Sequence, residues 1–139
     1  MSFDLLLRIV LSIIIGFAIG LERELHEKPA GLRTMILICA GACLFTIISV
    51  LMVGQNVDNT RIAAQIITGV GFLGAGTVLR DKKGGVKGLT TAASIWMSSA
   101  LGMSCGFGLF SLALTGALFT VGVLLFLNPH RWSKNHKKQ

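Results

Sequence analysis

The sequence predicts an all-α membrane protein, a bundle of about five transmembrane helices. Of the 139 residues, 53% are hydrophobic and only 14% are charged, whereas a soluble domain carries roughly 25% charged residues. The apolar residues form long runs that lack Asp, Glu, Lys and Arg. The chain also has 17 glycines and only 2 prolines, which suits close packing of helices in lipid.

The length of the apolar runs predicts the number of spans. A spanning helix needs about 20 apolar residues, because each adds about 1.5 Å across a core about 30 Å thick. The run 88–130 has no acidic or basic residue except His130 and would be roughly 65 Å long as one helix, so we expect it to reverse at Gly106-Phe107-Gly108. The predicted spans cover about residues 5–21, 34–54, 62–79, 90–106 and 109–127. They form one membrane domain, 1–128, followed by a basic tail, 129–139.

The distribution of basic residues predicts the orientation. With five spans, eleven of the 13 Lys and Arg residues fall on one side, in the 22–33 loop, the 80–88 loop and the tail, and only Arg8 and Arg61 fall elsewhere. Because Lys and Arg collect in cytoplasmic loops, this predicts an external N-terminus and a cytoplasmic C-terminus. Arg8 is expected to extend to the headgroups. The net charge of +7 then reflects contact with anionic lipid, with Trp132 as an interfacial anchor and no need for nucleic acid.

Small residues recur on one face of two predicted spans. In span three they are Ala64, Thr68, Gly71 and Ala75, and in span four Thr91, Ser94, Ser98, Gly102 and Cys105. Small residues let helices approach closely in lipid, so we expect these two stripes to meet. Gly16 and Gly20 form a G-x-x-x-G pair suited to dimerisation. Gln65 is the most polar group of span three and is expected to make an interhelical hydrogen bond or, alternatively, to line a permeation path.

Several familiar motifs are rejected by their context. Gly69, Gly71 and Gly74 match G-x-G-x-x-G, but the motif lies inside a predicted membrane span and not between a strand and a helix. No phosphate-binding loop G-x-x-x-x-G-K-[ST] occurs. We therefore predict no nucleotide or other cofactor and no catalytic residues.

Four runs in order resemble the membrane domain of the MgtC/SapB family. They are residues 20–24 (GLERE), 28–34 (KPAGLRT), 61–76 (RIAAQIITGVGFLGAG) and 88–96 (GLTTAASIW). The resemblance spans nearly the whole chain and implies a multi-pass protein of the bacterial inner membrane, associated with magnesium limitation, stress and virulence. Many members add a soluble C-terminal domain, and this chain is expected to lack it.

The family motifs place a candidate functional cluster at the cytoplasmic face: Glu22, Arg23, Glu24, Arg33 and Arg80. One interpretation is an ionic cluster that holds spans together or receives a partner. The other is a solvated face in which Glu24 pairs with Lys28, and Arg23 with Glu27, at about 0.2–0.5 kcal/mol each.

A magnesium site is a third and more specific interpretation of these residues, because Mg²⁺ prefers carboxylate oxygens and keeps several waters. Glu22, Glu24 and Asp81 are weak candidate ligands, opposed by the basic residues nearby. Cys39, Cys43 and Cys105 lie in apolar surroundings and are expected to act as small hydrophobic residues.

The sequence supports two functional hypotheses. The first is a non-catalytic membrane protein that acts by association, with itself or with other membrane proteins, in magnesium, ion or stress homeostasis. The alternative is a small oligomeric transporter or channel for Mg²⁺ or another small solute. The intramembrane residues singled out for packing or polarity are Gln65, Thr68, Gly71, Thr91, Ser94 and Ser98.

Overall fold

The computed structural model describes residues 3–52, 60–80 and 85–127. The predictions for Asp81, Trp132 and the tail therefore lie outside the described residues. Within them the chain forms five helices: α1 (Phe3–Leu25), α2 (Leu32–Leu51), α3 (Thr60–Ala75), α4 (Leu89–Gly106) and α5 (Phe110–Phe126). A short hairpin precedes α4, in which β1 (Leu79–Arg80) pairs antiparallel with β2 (Val86–Lys87).

The predicted class, an all-α membrane bundle, is confirmed. Both α1 and α2 are long and apolar enough to cross a membrane, and α3 and α5 are shorter apolar helices. The third helix is shorter than the predicted span 62–79. It ends at Ala75 because the backbone turns there, with the Thr77 amide donating to the Gly74 carbonyl at 3.0 Å, and the chain then enters β1.

Glycines occupy the turns on both sides of α4. Gly88 has a φ of 91° and Gly108 a φ of 77°, a left-handed conformation that glycine adopts readily. A Cβ atom at Gly88 would also collide with the Thr77 carbonyl oxygen. The second turn connects α4 to α5 at the glycines where the sequence predicts a reversal.

The core lies between α1, α2 and α4, which pack on one another, while α3 and α5 pack mainly on α4. Helix ends alternate, so the α1–α2 turn, the hairpin and the C-terminal end of α5 share one end of the bundle, hereafter the hairpin end. The buried apolar side chains of the core include Ile15, Ile19, Met35, Cys39, Cys43, Ile95, Leu101 and Cys105. The three cysteines are free thiols.

The pair Gly16 and Gly20 is used inside the chain. A Cβ atom at Gly16 would lie 2.8 Å from Ile36 Cα, and one at Gly20 would lie 2.7 Å from Leu32 Cα. Both glycines are buried. The predicted dimerisation through this pair is therefore wrong, because α2 of the same chain occupies the glycine surface.

The small stripe of α4 packs on α1 and α2 and not on α3. A Cβ atom at Gly102 would collide with the Cys39 carbonyl oxygen, and the Ser98 hydroxyl donates to Met35 Sδ at 3.4 Å. Helix α3 instead approaches α4 near Gly74, where an added Cβ atom would lie 3.6 Å from that of Ala92. The predicted contact between the stripes of α3 and α4 is wrong, since spacing along a helix defines a face without defining its partner.

Candidate functional site

The most connected polar side chain at the hairpin end is Arg23, in the last turn of α1 and 1% exposed. Its guanidinium group donates four hydrogen bonds. The acceptors are the carbonyl oxygens of Ala30 (3.0 Å) and Pro29 (2.7 Å) and the hydroxyls of Thr91 (2.7 Å) and Ser94 (3.1 Å). Arg23 therefore joins α1, the α1–α2 turn and α4.

The α1–α2 turn is shaped to present those carbonyls. Glu27 and Ala30 have positive φ angles of 51° and 56°, which cost residues other than glycine about 1–2 kcal/mol each. The Lys28 amide donates to the Arg23 carbonyl at 2.9 Å, which closes the turn. Hydrogen bonds to a buried charge are among the stronger ones in proteins, so the Arg23 contacts offset the strain in the turn.

Glu24 connects the end of α1 to the start of α2. Its Oε2 accepts a hydrogen bond from the Leu32 amide at 2.9 Å. The first amides of a helix lack partners within the helix, and the negative charge also suits the positive end of the helix dipole. A Cβ atom at Gly31 would collide with this oxygen. The lack of a side chain at Gly31 therefore leaves room for the Glu24 carboxylate. Glu24 therefore acts as a cap for α2.

Glu22 is 7% exposed and lies beside His26 one turn on, with 3.2 Å between Oε1 and Nδ1. The same Nδ1 is 2.8 Å from the Glu22 carbonyl oxygen. Arg33, in the first turn of α2, and Arg80, in β1, are both exposed. Of the predicted cluster, the structure thus brings Glu22, Arg23 and Glu24 into packing contacts and leaves the other two arginines on the surface.

The predicted helical ion pairs of Arg23 with Glu27, and of Glu24 with Lys28, are not formed. Helix α1 ends at Leu25, and both pairs need a helix that continues beyond it. The solvated-face interpretation is therefore wrong for Arg23. The magnesium alternative gains no support from Glu24, which binds an amide, and the residues described contain no group of three or more His, Cys, Asp and Glu that could hold a metal ion.

The intramembrane residues separate into two groups. Thr91, Ser94 and Ser98 are buried on α4, the first two as acceptors for Arg23. On α3, Gln65, Thr68 and Gly71 are exposed at the surface of the bundle, and the Thr68 hydroxyl donates to the Ala64 carbonyl at 3.1 Å. Gln65 lines a groove of about 560 Å³ between α2 and α3.

Sequence reasoning missed the role of Arg8 at the opposite end of the bundle. Its Nη1 donates to the Gly106 carbonyl at 2.7 Å, and its Nη2 lies 2.7 Å from Asp4 Oδ2. The side chain therefore turns to the C-terminal end of α4, whose carbonyls lack helical partners, and its extension to the headgroups stays a prediction. The sequence contained a signal for this contact. Asp4 and Arg8 are four residues apart, so the carboxylate of Asp4 can pair with the arginine side chain on the same helix.

An all-α bundle with two helices long and apolar enough to cross a bilayer is typical of a membrane protein. The family model described as "MgtC family" matches residues 9–132. The chain belongs to the MgtC family, which confirms the resemblance seen in its motifs.

Several curated relatives are similar over most of this chain. It is 44% identical to "Putative magnesium transporter YhiD" of Escherichia coli over 89% of the chain and 60% of the relative. It is 41% identical to "Protein SapB" of Bacillus subtilis over 89% of the chain and 56% of that protein. It is 43% identical to "Protein MgtC" of Brucella abortus over 84% and 48%. The chain thus spans about half of the length of these relatives. No solved structure matches it.

Proposed function

We propose that this chain is a non-catalytic, multi-pass protein of the bacterial inner membrane that acts in magnesium homeostasis by associating with itself or with other membrane proteins. Its N-terminus is external and its C-terminus cytoplasmic, as the basic loops favour. The role in magnesium homeostasis is supported by family membership and by the name of the Escherichia coli relative. Association is supported by the surface of α3.

The outward face of α3 is the observation on which this proposal depends. Gln65, Thr68 and Gly69 are exposed there, and a Cβ atom at Gly69 would meet no atom within 4 Å. In hydrocarbon, small residues permit close helix contact, and a polar side chain gains about 0.6 kcal/mol on average from an interhelical hydrogen bond. A face with both features is better suited to another helix than to acyl chains. We call these three residues the α3 face.

Photo-crosslinking in native membranes tests association. A photoreactive residue replaces Thr68 in the α3 face, and the same residue at Leu114, exposed on α5, provides the control. We expect discrete crosslinked species at position 68 and only lipid adducts at position 114. Equal yields of crosslinked protein at both positions, or none at position 68, would contradict association through α3.

A transporter remains the second candidate, because Gln65 lines the groove between α2 and α3. Against it, the acidic residues of the described chain are Asp4, Glu22, Glu24 and Glu27, at the ends of α1 or beyond it, and the seam of α1, α2 and α4 is closed by contacts between glycines and backbone. Transporters usually place polar or charged groups near the bilayer midplane.

Flux into liposomes that contain a magnesium-sensitive dye separates the two candidates. We expect the purified chain to give the same dye signal as protein-free liposomes. Magnesium entry that is lost in Gln65→Leu would favour the transporter and refute a purely associative role.

A further inference from the structure

A second groove lies at the hairpin end, between α3 and α5. Both helices pack on α4, and the gap between them forms a trough of about 490 Å³. Its floor is α4, and its walls come from the C-terminal halves of α3 and α5. Its lining includes Val70, Gly71, Trp96, Met97, Phe119 and Leu124. We call it the hairpin groove.

The hairpin groove is apolar along its length and polar at one end. Thr90 and Ser94 contribute hydroxyls near the N-terminal end of α4, and Ser94 accepts a hydrogen bond from the buried Arg23. Toward the middle of α4 and α5 the lining is Trp96, Met97, Phe119 and Thr120, whose hydroxyl donates within α5 to the Gly116 carbonyl at 2.7 Å. The groove therefore has the polarity of an amphiphile, with its polar end at the surface of the bundle.

Basic residues stand at the polar end. Helix α3 contributes Ala75 to the groove, and the exposed Arg80 of β1 follows five residues later. On the other strand, the exposed Lys87 precedes Thr90 by three residues. The pairing of Leu79 with Lys87 and of Arg80 with Val86 holds the two charges on one hairpin. Basic pockets between transmembrane helices on the cytoplasmic side bind acidic lipid headgroups.

We propose that the hairpin groove binds one acyl chain of an anionic phospholipid, whose phosphate is held at the hairpin by Arg80. The proposal rests on the membrane placement and orientation given under the proposed function. An extended acyl chain matches the apolar lining of the groove, and its anionic headgroup matches the basic residues of the hairpin.

Quenching of Trp96 fluorescence by brominated lipid tests the site. The chain has two tryptophans, so Trp132→Phe leaves Trp96, which lines the groove, as the only reporter. The full chain carrying this change is placed in phosphatidylcholine vesicles that contain phosphatidylglycerol or phosphatidylcholine with brominated chains, at equal mole fractions. We expect the anionic lipid to quench at about fivefold lower content, the effect of one basic residue near an anionic surface.

Two variants, each with a matched control, locate the binding. Gly71→Leu fills the hairpin groove, whereas Gly69→Leu, two residues away on the same helix, faces the groove between α2 and α3. Both positions have open space for a side chain, and leucine favours the helix more than glycine does. Arg80→Gln removes the charge at the hairpin, and Arg61→Gln removes an exposed charge at the other end of α3.

The preference for anionic lipid should disappear in Gly71→Leu and Arg80→Gln and persist in Gly69→Leu and Arg61→Gln. Equal quenching by the two lipids in the Trp132→Phe protein, or a preference that survives Gly71→Leu, would overturn the lipid site and leave the membrane placement intact. Quenching by neither lipid would overturn the membrane placement as well.

Discussion

The unit formed by α1, α2 and α4 differs from α3 in how small residues are used. In the unit, glycines such as Gly16 and Gly102 touch the backbone of a neighbouring helix. On α3, a Cβ atom added at Gly69 or Gly71 would meet no atom within 4 Å. The same residue type therefore closes the core in one region and leaves an open surface in the other.

This difference divides the family motifs between two roles. Residues 20–34 contain Gly20, Arg23, Glu24 and Gly31, whose contacts join α1, α2 and α4. Residues 61–76 contain the α3 face, all of which is exposed. Changes in residues 20–34 should therefore lower the stability of the fold. Changes in residues 61–76 should alter interactions with other molecules while the fold is retained.

Replacing Arg23 should have the largest effect on the first region. Arg23→Ala removes four hydrogen bonds and leaves buried acceptors without a donor, which we expect to cost about 3–5 kcal/mol. Arg23→Lys should not restore stability, because one ammonium group cannot match the planar guanidinium. Thermal unfolding in detergent measures both. A melting temperature unchanged in Arg23→Ala would show that this network does not hold the bundle together.

Two glycine substitutions, one in each region, should change the stability of the protein in opposite directions. Gly16→Ala places a methyl group 2.8 Å from the backbone of α2 and should destabilise the protein by about 1–3 kcal/mol. Gly69→Ala meets open space and should stabilise the helix by up to about 1 kcal/mol. The same unfolding measurement compares them. Equal losses of stability would mean that the α3 face is packed as tightly as the core.

Replacing Glu24 should have the smallest effect of the three. Glu24→Ala removes the acceptor for the Leu32 amide, which we expect to cost about 1 kcal/mol, as for other helix caps. Glu24→Gln keeps a carbonyl oxygen and should lose less. Unfolding of the two variants side by side checks this order, and a larger loss in Glu24→Gln would argue against capping.

The sequence predicted the helices better than their contacts. Run lengths and charges are local properties, so the class of fold followed from them. The partners of Arg23 did not, because Thr91 and Ser94 lie 68 and 71 residues away and the turn places Glu27 and Ala30 in a conformation unusual for those residues. Likewise, the stripe of α4 was recognised as a packing face, but nothing in its spacing indicated α2 as the partner.

Crosslinking at position 68 in the Gly69→Leu variant tests most directly whether the α3 face is an association surface and not part of the core. We expect the yield of crosslinked protein to fall sharply while the melting temperature stays at or above that of the parent chain, because leucine blocks the approach of a partner and disturbs no packed contact. An unchanged yield, or a melting temperature that falls as it does in Gly16→Ala, would contradict this assignment.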